Sequence, residues 1–415
     1  MAMKKVSSIS FLLVMISSAY GAWVSIGPFG GPLRCVAIAP SNEDIIYTTS
    51  YSFPALVYHS DNGSASWSEQ GSISGYVYCL TVDPVDPDIA YAGGSMCVYK
   101  TTDGGAIWNS YSVSNGIIYG LVIHPGSPAT VCAAGQTLSG SYNVMAFFKS
   151  TNGGVDWSTL PLHATYNGSA YCVAVDNSNP NNIYVGGSYY NAGYFPKIYK
   201  STNSGASFTD ASSGISSSCM YIYSLAVHPT NSSIAYAGSY YGDIYRTTDS
   251  GGSWSCVNSG NFVSRIVTSQ AEPNTAYAGT DTIIYKTTNS GATWFQGGTG
   301  YGGHYKYSRD LAASQTQGSV VYTADNVGIF KTTNSGTHWF DSNYGMTMAS
   351  ITNFALAPSS PSVIYTEFEG VGVFKTTDSG NDWSLLPTPL ECGTICEFAV
   401  HNSNPDIVYG LEGIG

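Results

Sequence analysis

Cleaving a glycosidic bond takes two carboxyl groups about 5–10 Å apart, and gripping a carboxylate takes clustered guanidinium groups. The sequence offers little of either. Its four arginines, Arg34, Arg246, Arg265 and Arg309, are scattered, and its densest acidic group, Glu367, Glu369, Glu391 and Glu397, reads as solvated loop acids. The seven histidines show no metal-binding spacing. No Ser/His/Asp triad, phosphate-binding glycine loop or paired Cys-x-x-Cys can be assembled. No catalytic residue, metal site or cofactor is therefore assigned. What the sequence has instead is tyrosine, 33 residues of it. Three segments concentrate it: Ser188 to Phe195 with Tyr189, Tyr190 and Tyr194, then Tyr240-Tyr241-Gly242, then Tyr301 to Tyr307 with Tyr301, His304 and Tyr305. Exposed tyrosine among Gly, Ser and Asn offers flat apolar area and hydrogen bonds at low entropic cost, the make-up of recognition surfaces. These side chains are the candidate ligand-binding residues, acting by ring stacking rather than charge. A neutral glycan, a polar protein surface or further copies of the chain are the partners expected.

Charge and composition narrow the choice of partner. The net charge is −12 with 14 Lys plus Arg, which removes the basic footprint that nucleic acid or an anionic membrane requires. Lys4 and Lys5, an apolar run from Ile9 to Ile16 and small residues ending at Gly21 have the layout of a secretory leader over residues 1–21. That run is shorter than the ~20 residues of a membrane span, so the expectation is an exported protein, extracellular or on the cell surface, comprising residues 22–415. Nine cysteines cannot all pair within one chain. Cys35, Cys79 and Cys172 fall in apolar runs and read as small buried hydrophobes, whereas Cys219 with Cys256, and Cys392 with Cys396, are disulfide candidates.

The elements that must carry these residues come from an internal repeat. The segment VYKTTDGGAIW at 98–108 recurs along the chain, closing at Trp108, Trp157, Phe208, Trp254, Trp294, Trp339 and Trp383, with a weaker copy closing at Trp67. The spacing is 40 to 51 residues. Each copy follows a β-rich run, a Pro/Asn/Asp turn and a run ending in Tyr-Ala-Gly or similar, so a repeat reads as four short strands, for the second unit 77–83, 88–93, 96–102 and 106–112. Four-stranded sheets of this kind stack radially into a propeller, each covering its neighbour's face. Tyr47, Tyr91, Tyr184, Tyr236, Tyr277, Tyr322, Tyr365 and Tyr409 share one repeat position and read as packing residues between blades. His124, His228 and His401 stand where other repeats carry Asp83 or Asp176, and read as turn residues.

The recurring segment resembles the Asp-box, or BNR, repeat: Ser/Thr-x-Asp/Asn-x-Gly-x-x-Trp/Phe. Thr101, Asp103, Gly105 and Trp108 carry it in one copy, and Asn152, Asn203, Asp249, Asn289, Asn334 and Asp378 hold the acid or amide position in the others. The role implied is structural: Asp103 or Asn152 accepts backbone N–H bonds, Thr101 or Ser150 adds a hydroxyl, Gly105 or Gly154 relieves the turn, and a buried aromatic plugs the gap. In the first copy Ser64 replaces glycine, so a distorted box is expected there. The resemblance implies an all-β fold, a single propeller of four-stranded antiparallel blades. About nine blades are expected, with eight as the alternative. Residues 22–28, with Trp23 in the place of a box aromatic, are expected to pair with strands in 395–411 and close the ring. The last blade reads as incomplete, and its open edge supplies the motive for self-assembly.

Asp-box propellers include sialidases, xyloglucan-degrading glycosidases, sortilin receptors and a photosystem II assembly factor, so the fold does not choose the function. The sialidase arginine cluster and Arg-Ile-Pro motif are missing, which argues against that activity. The opening AWVSIGPFGGPLRCVAIAP is similar to the start of the xyloglucanase group, but where that group carries a catalytic Asp the chain reads Tyr47 to Phe53 with no carboxylate. The favoured expectation is a non-catalytic binding or self-assembling surface module, with a polysaccharide-degrading glycosidase as the alternative.

Overall fold

A computed structural model describes residues 30–415 apart from 164, 301–307, 345, 347–350, 369–371, 381–382, 387–394 and 413–415. The described chain is all-β save for one short 3₁₀ turn at Ser217–Cys219. It divides into two compact units, one of Pro32–Asn343 and one of Met1–Gly31 with Tyr344–Gly415.

The larger unit contains seven four-stranded antiparallel arrays, the second and third sharing the long strand Asn109–Ile123. That strand is the outer strand of the second sheet and the inner strand of the third. Each sheet packs its inner strand against the next, and the seventh packs against the first. Within this unit the first sheet's neighbours are therefore the second and the seventh; the sequence expectation is about nine blades, or eight, closed by 22–28 and 395–411. Trp23 and the rest of 22–28 lie outside the described residues.

A single contact recurs at five of these junctions. The second-strand tyrosine of one sheet lies against the box glycine of the next: Tyr47 on Gly105, Tyr91 on Gly154, Tyr184 on Gly251, Tyr236 on Gly291 and Tyr277 on Gly336. Those glycines have φ of +76 to +93°, where a Cβ would be strained and in most cases would press on the ring. At the junction of the seventh and first sheets, the Tyr322 hydroxyl donates to the Gly63 carbonyl at 3.2 Å and Lys331 Nζ donates to the same oxygen at 2.7 Å. Lys100, Lys149, Lys200 and Lys286 likewise donate to box-turn carbonyls of the following sheet. That junction has an extra clasp, in which Glu43 accepts from Ser314, Thr316 and the Gln315 N–H. Burial raises the Glu43 carboxyl, but those bonds outweigh it and hold the group below its ordinary value.

The recurring turns share one hydrogen-bond pattern. Thr101 Oγ1 accepts from the Gly105 N–H at 3.0 Å, Asp103 Oδ1 accepts from Ile107 N–H at 2.9 Å, and the other copies repeat the pattern with Asn152, Asn203, Asp249, Asn289 and Asn334. In the second unit Thr376 Oγ1 likewise accepts from the Gly380 N–H, with Asp378 at the acid position. The first copy is not distorted: Ser64 adopts φ +70°, its N–H donates to Ser60 Oγ, and Ser66 N–H donates to Asn62. The plugs differ from expectation. Trp67, Trp254 and Trp339 are buried, but Trp108, Trp157, Phe208, Trp294 and Trp383 are half-buried. The indoles of Trp67 and Trp254 reach carbonyls outside their own turns, at Ser342 and Ala211, whereas Trp108, Trp157 and Trp383 fold back onto the carbonyls of Gly105, Gly154 and Gly380.

In the second unit, Ile351–Ala357, Ser360–Phe368, Gly372–Thr376 and Ser384–Leu385 form one sheet, and Ile395–Val400 pairs with Val408–Glu412. Its core gathers Ala357, Val363, Tyr365 and Val373 with Val400 and Val408. Tyr365 donates to the Pro405 carbonyl at 2.8 Å, but Tyr409 is exposed, with no following box turn over it among the described residues.

Cys35, Cys79 and Cys172 are buried, and burial pushes the Cys79 and Cys172 thiols up to about 12. Cys219 and Cys256 carry free thiols, one buried and one exposed, rather than the disulfide considered. Cys392 lies outside the described residues, as does the side chain of Cys396. His124, His228 and His401 each accept a backbone N–H two residues on, the turn role expected. Asp83 and Asp176 do the same.

Candidate functional site

The site is built by one irregularity of pairing repeated around the larger unit. In five sheets the register between first and second strands slips by one residue: between Leu33 and Cys35, Ile118 and Gly120, Ala170 and Cys172, Ile222 and Ser224, and Val263 and Arg265. Such a bulge leaves one residue unpaired and re-aims its side chain. The skipped residues are Arg34, Tyr119, Tyr171, Tyr223 and Ser264. In the second and seventh sheets Tyr78 and Arg309 stand immediately before the first strand. All seven line one pocket of about 280 Å³, with Cys79, Leu80, Arg265 and Asp310 also in its wall and Tyr51, Tyr240 and Phe262 contributed by neighbouring loops. Leu80 and Arg265 also line a second cavity of about 300 Å³, walled by the first strands of successive sheets.

Three of the four arginines therefore meet in one place. The Arg34 guanidinium lies 4.9 Å from the Tyr51 ring centroid and 4.8 Å from that of Tyr78, and Arg309 lies 4.1 Å from Tyr51. Arg265 faces Asp310 at 3.4 Å. Asp310 is 13% exposed and accepts the Val36 N–H at 3.1 Å. Burial raises its pKa, against the pull of Arg265 and the backbone N–H groups of Val36 and Leu311. It is the one carboxylate among the described residues of this pocket. The tyrosines form a chain of ring contacts, Tyr78 to Tyr119 at 5.3 Å, Tyr119 to Tyr171 at 5.2 Å and Tyr171 to Tyr223 at 4.6 Å and nearly parallel. Burial and the neighbouring phenols push Tyr119 up to about 12, so its hydroxyl stays a donor at neutral pH.

A groove of about 440 Å³ adjoins the pocket and shares Tyr171 with it. It exists because the third and fourth sheets have long hairpins, Val131–Ser139 with Tyr142–Ser150 and Ile183–Tyr190 with Tyr194–Ser201, where the other sheets of this unit have middle strands of four to seven residues. Gln136 and Asn143 line one side, Ser188, Tyr189, Tyr190 and Tyr194 the other, and Asn167, Ser169 and Tyr221 lie between. The Gln136 amide donates to Ser169, and Asn167 accepts the Asn143 N–H at 3.0 Å.

The residues expected from sequence sort themselves accordingly. Tyr190, Tyr194, Tyr240 and Tyr241 are exposed and belong to one aromatic patch through Tyr221. Tyr189 is half-buried in a stack with His163 at 4.3 Å and Phe195 at 5.2 Å, so its ring is already engaged. Tyr301, His304 and Tyr305 lie outside the described residues. Sequence reasoning missed Arg34, Tyr78, Tyr119, Tyr171, Tyr223 and Arg309. Aligning the repeats on Cys35, Cys79 and Cys172 would have placed Arg34, Tyr78 and Tyr171 in one column.

No family profile matches the chain, and no curated protein matches it in sequence. Solved structures do match in fold. The GH74 xyloglucanase from Xanthomonas campestris has a TM-score of 0.59 at 12% identity, over 89% of this chain and 70% of that one. YCF48 from Cyanidioschyzon merolae has a TM-score of 0.53 at 13% identity, over 74% of this chain and 96% of that one. A structure titled YCF48 bound to D1 peptide matches at 0.53 and 12% identity, over 74% and 94%. The class these likenesses define is the β-propeller. They show the fold alone.

Proposed function

We propose that the chain is an exported, seven-bladed Asp-box propeller that binds its ligand without cleaving it, on the face formed by the arginine–tyrosine pocket and the adjoining groove. One observation carries this reading: five bulge residues, Arg34, Tyr119, Tyr171, Tyr223 and Ser264, and two residues just before a first strand, Tyr78 and Arg309, come from successive sheets into one pocket that has one carboxylate among its described residues where glycoside hydrolysis needs two. Aromatic rings and hydroxyls at low entropic cost suit recognition of sugars or a polar protein surface. Charge has a larger part than the sequence suggested, because three guanidinium groups converge. The alternative, a glycosidase, has in its favour the fold shared with the xyloglucanase.

A glycan array probed with the whole chain tests the reading, followed by incubation of any glycan bound and chromatography of the products. Binding that is weakened tenfold by Tyr223→Ala or Tyr240→Ala, with the glycan recovered intact, is expected. Cleavage products, or binding indifferent to both changes, overturn it.

A further inference from the structure

We infer that the groove between the long hairpins of the third and fourth sheets is a subsite for a neutral oligosaccharide, stacked on Tyr190 and Tyr194 and hydrogen-bonded by the amides of Asn143, Asn167 and Gln136; the inference rests on the binding function proposed above. The described lining of the groove is glutamine, asparagine, glycine, serine and tyrosine, with no charged side chain. Lys197, whose amine lies 5.9 Å from the Tyr189 ring centroid, is paired with Asp210. A charged ligand in the groove would lose hydration and meet no opposite charge there. The ligand it fits is therefore uncharged.

The backbone argues against a peptide strand. Adding a strand takes unpaired N–H and C=O groups along an edge, and the N–H groups of both hairpins are bonded here: Asn143 donates to Asn167 Oδ1 at 3.0 Å and Tyr190 to the Asn167 carbonyl at 2.7 Å. Pro196, in the strand that begins at Tyr194, has no N–H to offer. What remains for a ligand is side-chain chemistry. The Asn143 amide makes no hydrogen bond among the described residues, Asn167 keeps its Nδ2, and Gln136, whose Nε2 donates to Ser169, keeps its Oε1. Across the groove Tyr190 is 49% exposed and Tyr194 39%, their rings 5.0 Å apart and edge to face. Amide donors and acceptors opposite exposed aromatic surface fit a sugar ring, which carries hydroxyls at its rim and C–H groups on its faces.

Titration calorimetry with the whole chain tests this, using short unbranched oligomers of glucose, xylose, mannose and galactose, an oligomer of galacturonate, and an uncharged peptide of Ser, Asn and Tyr. The expected result is that at least one neutral oligomer binds, with an affinity that changes less than about twofold between low and high salt. Tyr190→Ala and Asn143→Ala should each weaken it by about tenfold at unchanged melting temperature. Tyr190→Phe, which keeps the ring, should stay within about threefold of the original. A neutral oligomer whose affinity falls steeply with salt, or is indifferent to both alanine changes, overturns the inference. Failure of every neutral oligomer also overturns it; a binding function still stands if the galacturonate, the peptide or any glycan on the array binds, and falls with it if none does. The comparison of neutral with charged probes needs no variant, so it decides even if a substitution impairs folding.

Discussion

Cations lie over tyrosine rings in two regions of the larger unit, and the two are built differently. Between sheets, Lys100, Lys200, Lys286 and Lys331 lie 5.2 to 5.6 Å from Tyr91, Tyr184, Tyr277 and Tyr322. Each amine also donates to a carbonyl of the next box turn, so the contact is the same at these four junctions and belongs to the packing. At the pocket, Arg34 and Arg309 occupy a position that in other sheets is tyrosine or serine. A cation that recurs with the repeat serves the repeat, whereas one that breaks it serves something outside it.

The junction of the fourth and fifth sheets gives the sharpest test. Tyr184 is fully buried, donates to the Ser250 carbonyl at 2.9 Å and meets Trp254 edge-on. Tyr184→Ala should cost about 3–5 kcal/mol, as large core truncations do, measured by urea unfolding; a loss below about 1 kcal/mol would contradict the packing role. Gly251→Ala comes next, because φ is +86° and the new Cβ would sit 3.0 Å from the Tyr184 ring. A loss of about 1–3 kcal/mol is expected from the backbone strain, and the double change with Tyr184→Ala should fall short of additive.

Lys200→Met should cost only about 1 kcal/mol, since the Ser250 carbonyl keeps the Tyr184 hydroxyl when the amine at 2.7 Å is gone. Arg34→Gln, by contrast, should leave the melting curve unmoved and change binding alone. If Arg34→Gln unfolds the protein as readily as Lys200→Met does, the two kinds of contact are not distinct.

The smallest effect concerns acid. Asp249 is held down to about 2 by the Thr247 hydroxyl and the Ser253 N–H and hydroxyl. A carboxyl depressed in the folded state adds stability above its unfolded value of about 4, and that share is lost as pH falls toward 2. Asn fills this position in other boxes, so Asp249→Asn should be near neutral at pH 7 and should flatten the loss between about pH 4 and 2. Parallel acid-unfolding curves for the two proteins would refute this.

The repeat made the sheets and their packing legible, because seven tyrosines from Tyr47 to Tyr365 recur at one position and are buried. It did not make the neighbour of the first sheet legible, since most junctions use the same contact and any box turn could in principle receive Tyr322. The aromatic patch was half legible. Tyr190 and Tyr240 lie in loops whose composition announces them, but Tyr119, Tyr171 and Tyr223 sit inside strands, where alternation alone says which way a side chain points. The bulge shifts that alternation by one residue, so residues that read as part of a strand's run turn to the pocket instead.

That bulge has an evolutionary consequence. The five bulge residues are left out of the ladder register, and neither they nor Tyr78 and Arg309 take part in the tyrosine–glycine contacts, so their identity can change while the cores on either side keep their sequence. Each sheet thus contributes one letter to the pocket's wall, and the letters are edited separately. Descendants of one scaffold could acquire new ligands by rewriting seven positions, and an engineer could do the same by saturating Arg34, Tyr78, Tyr119, Tyr171, Tyr223, Ser264 and Arg309 in a single library.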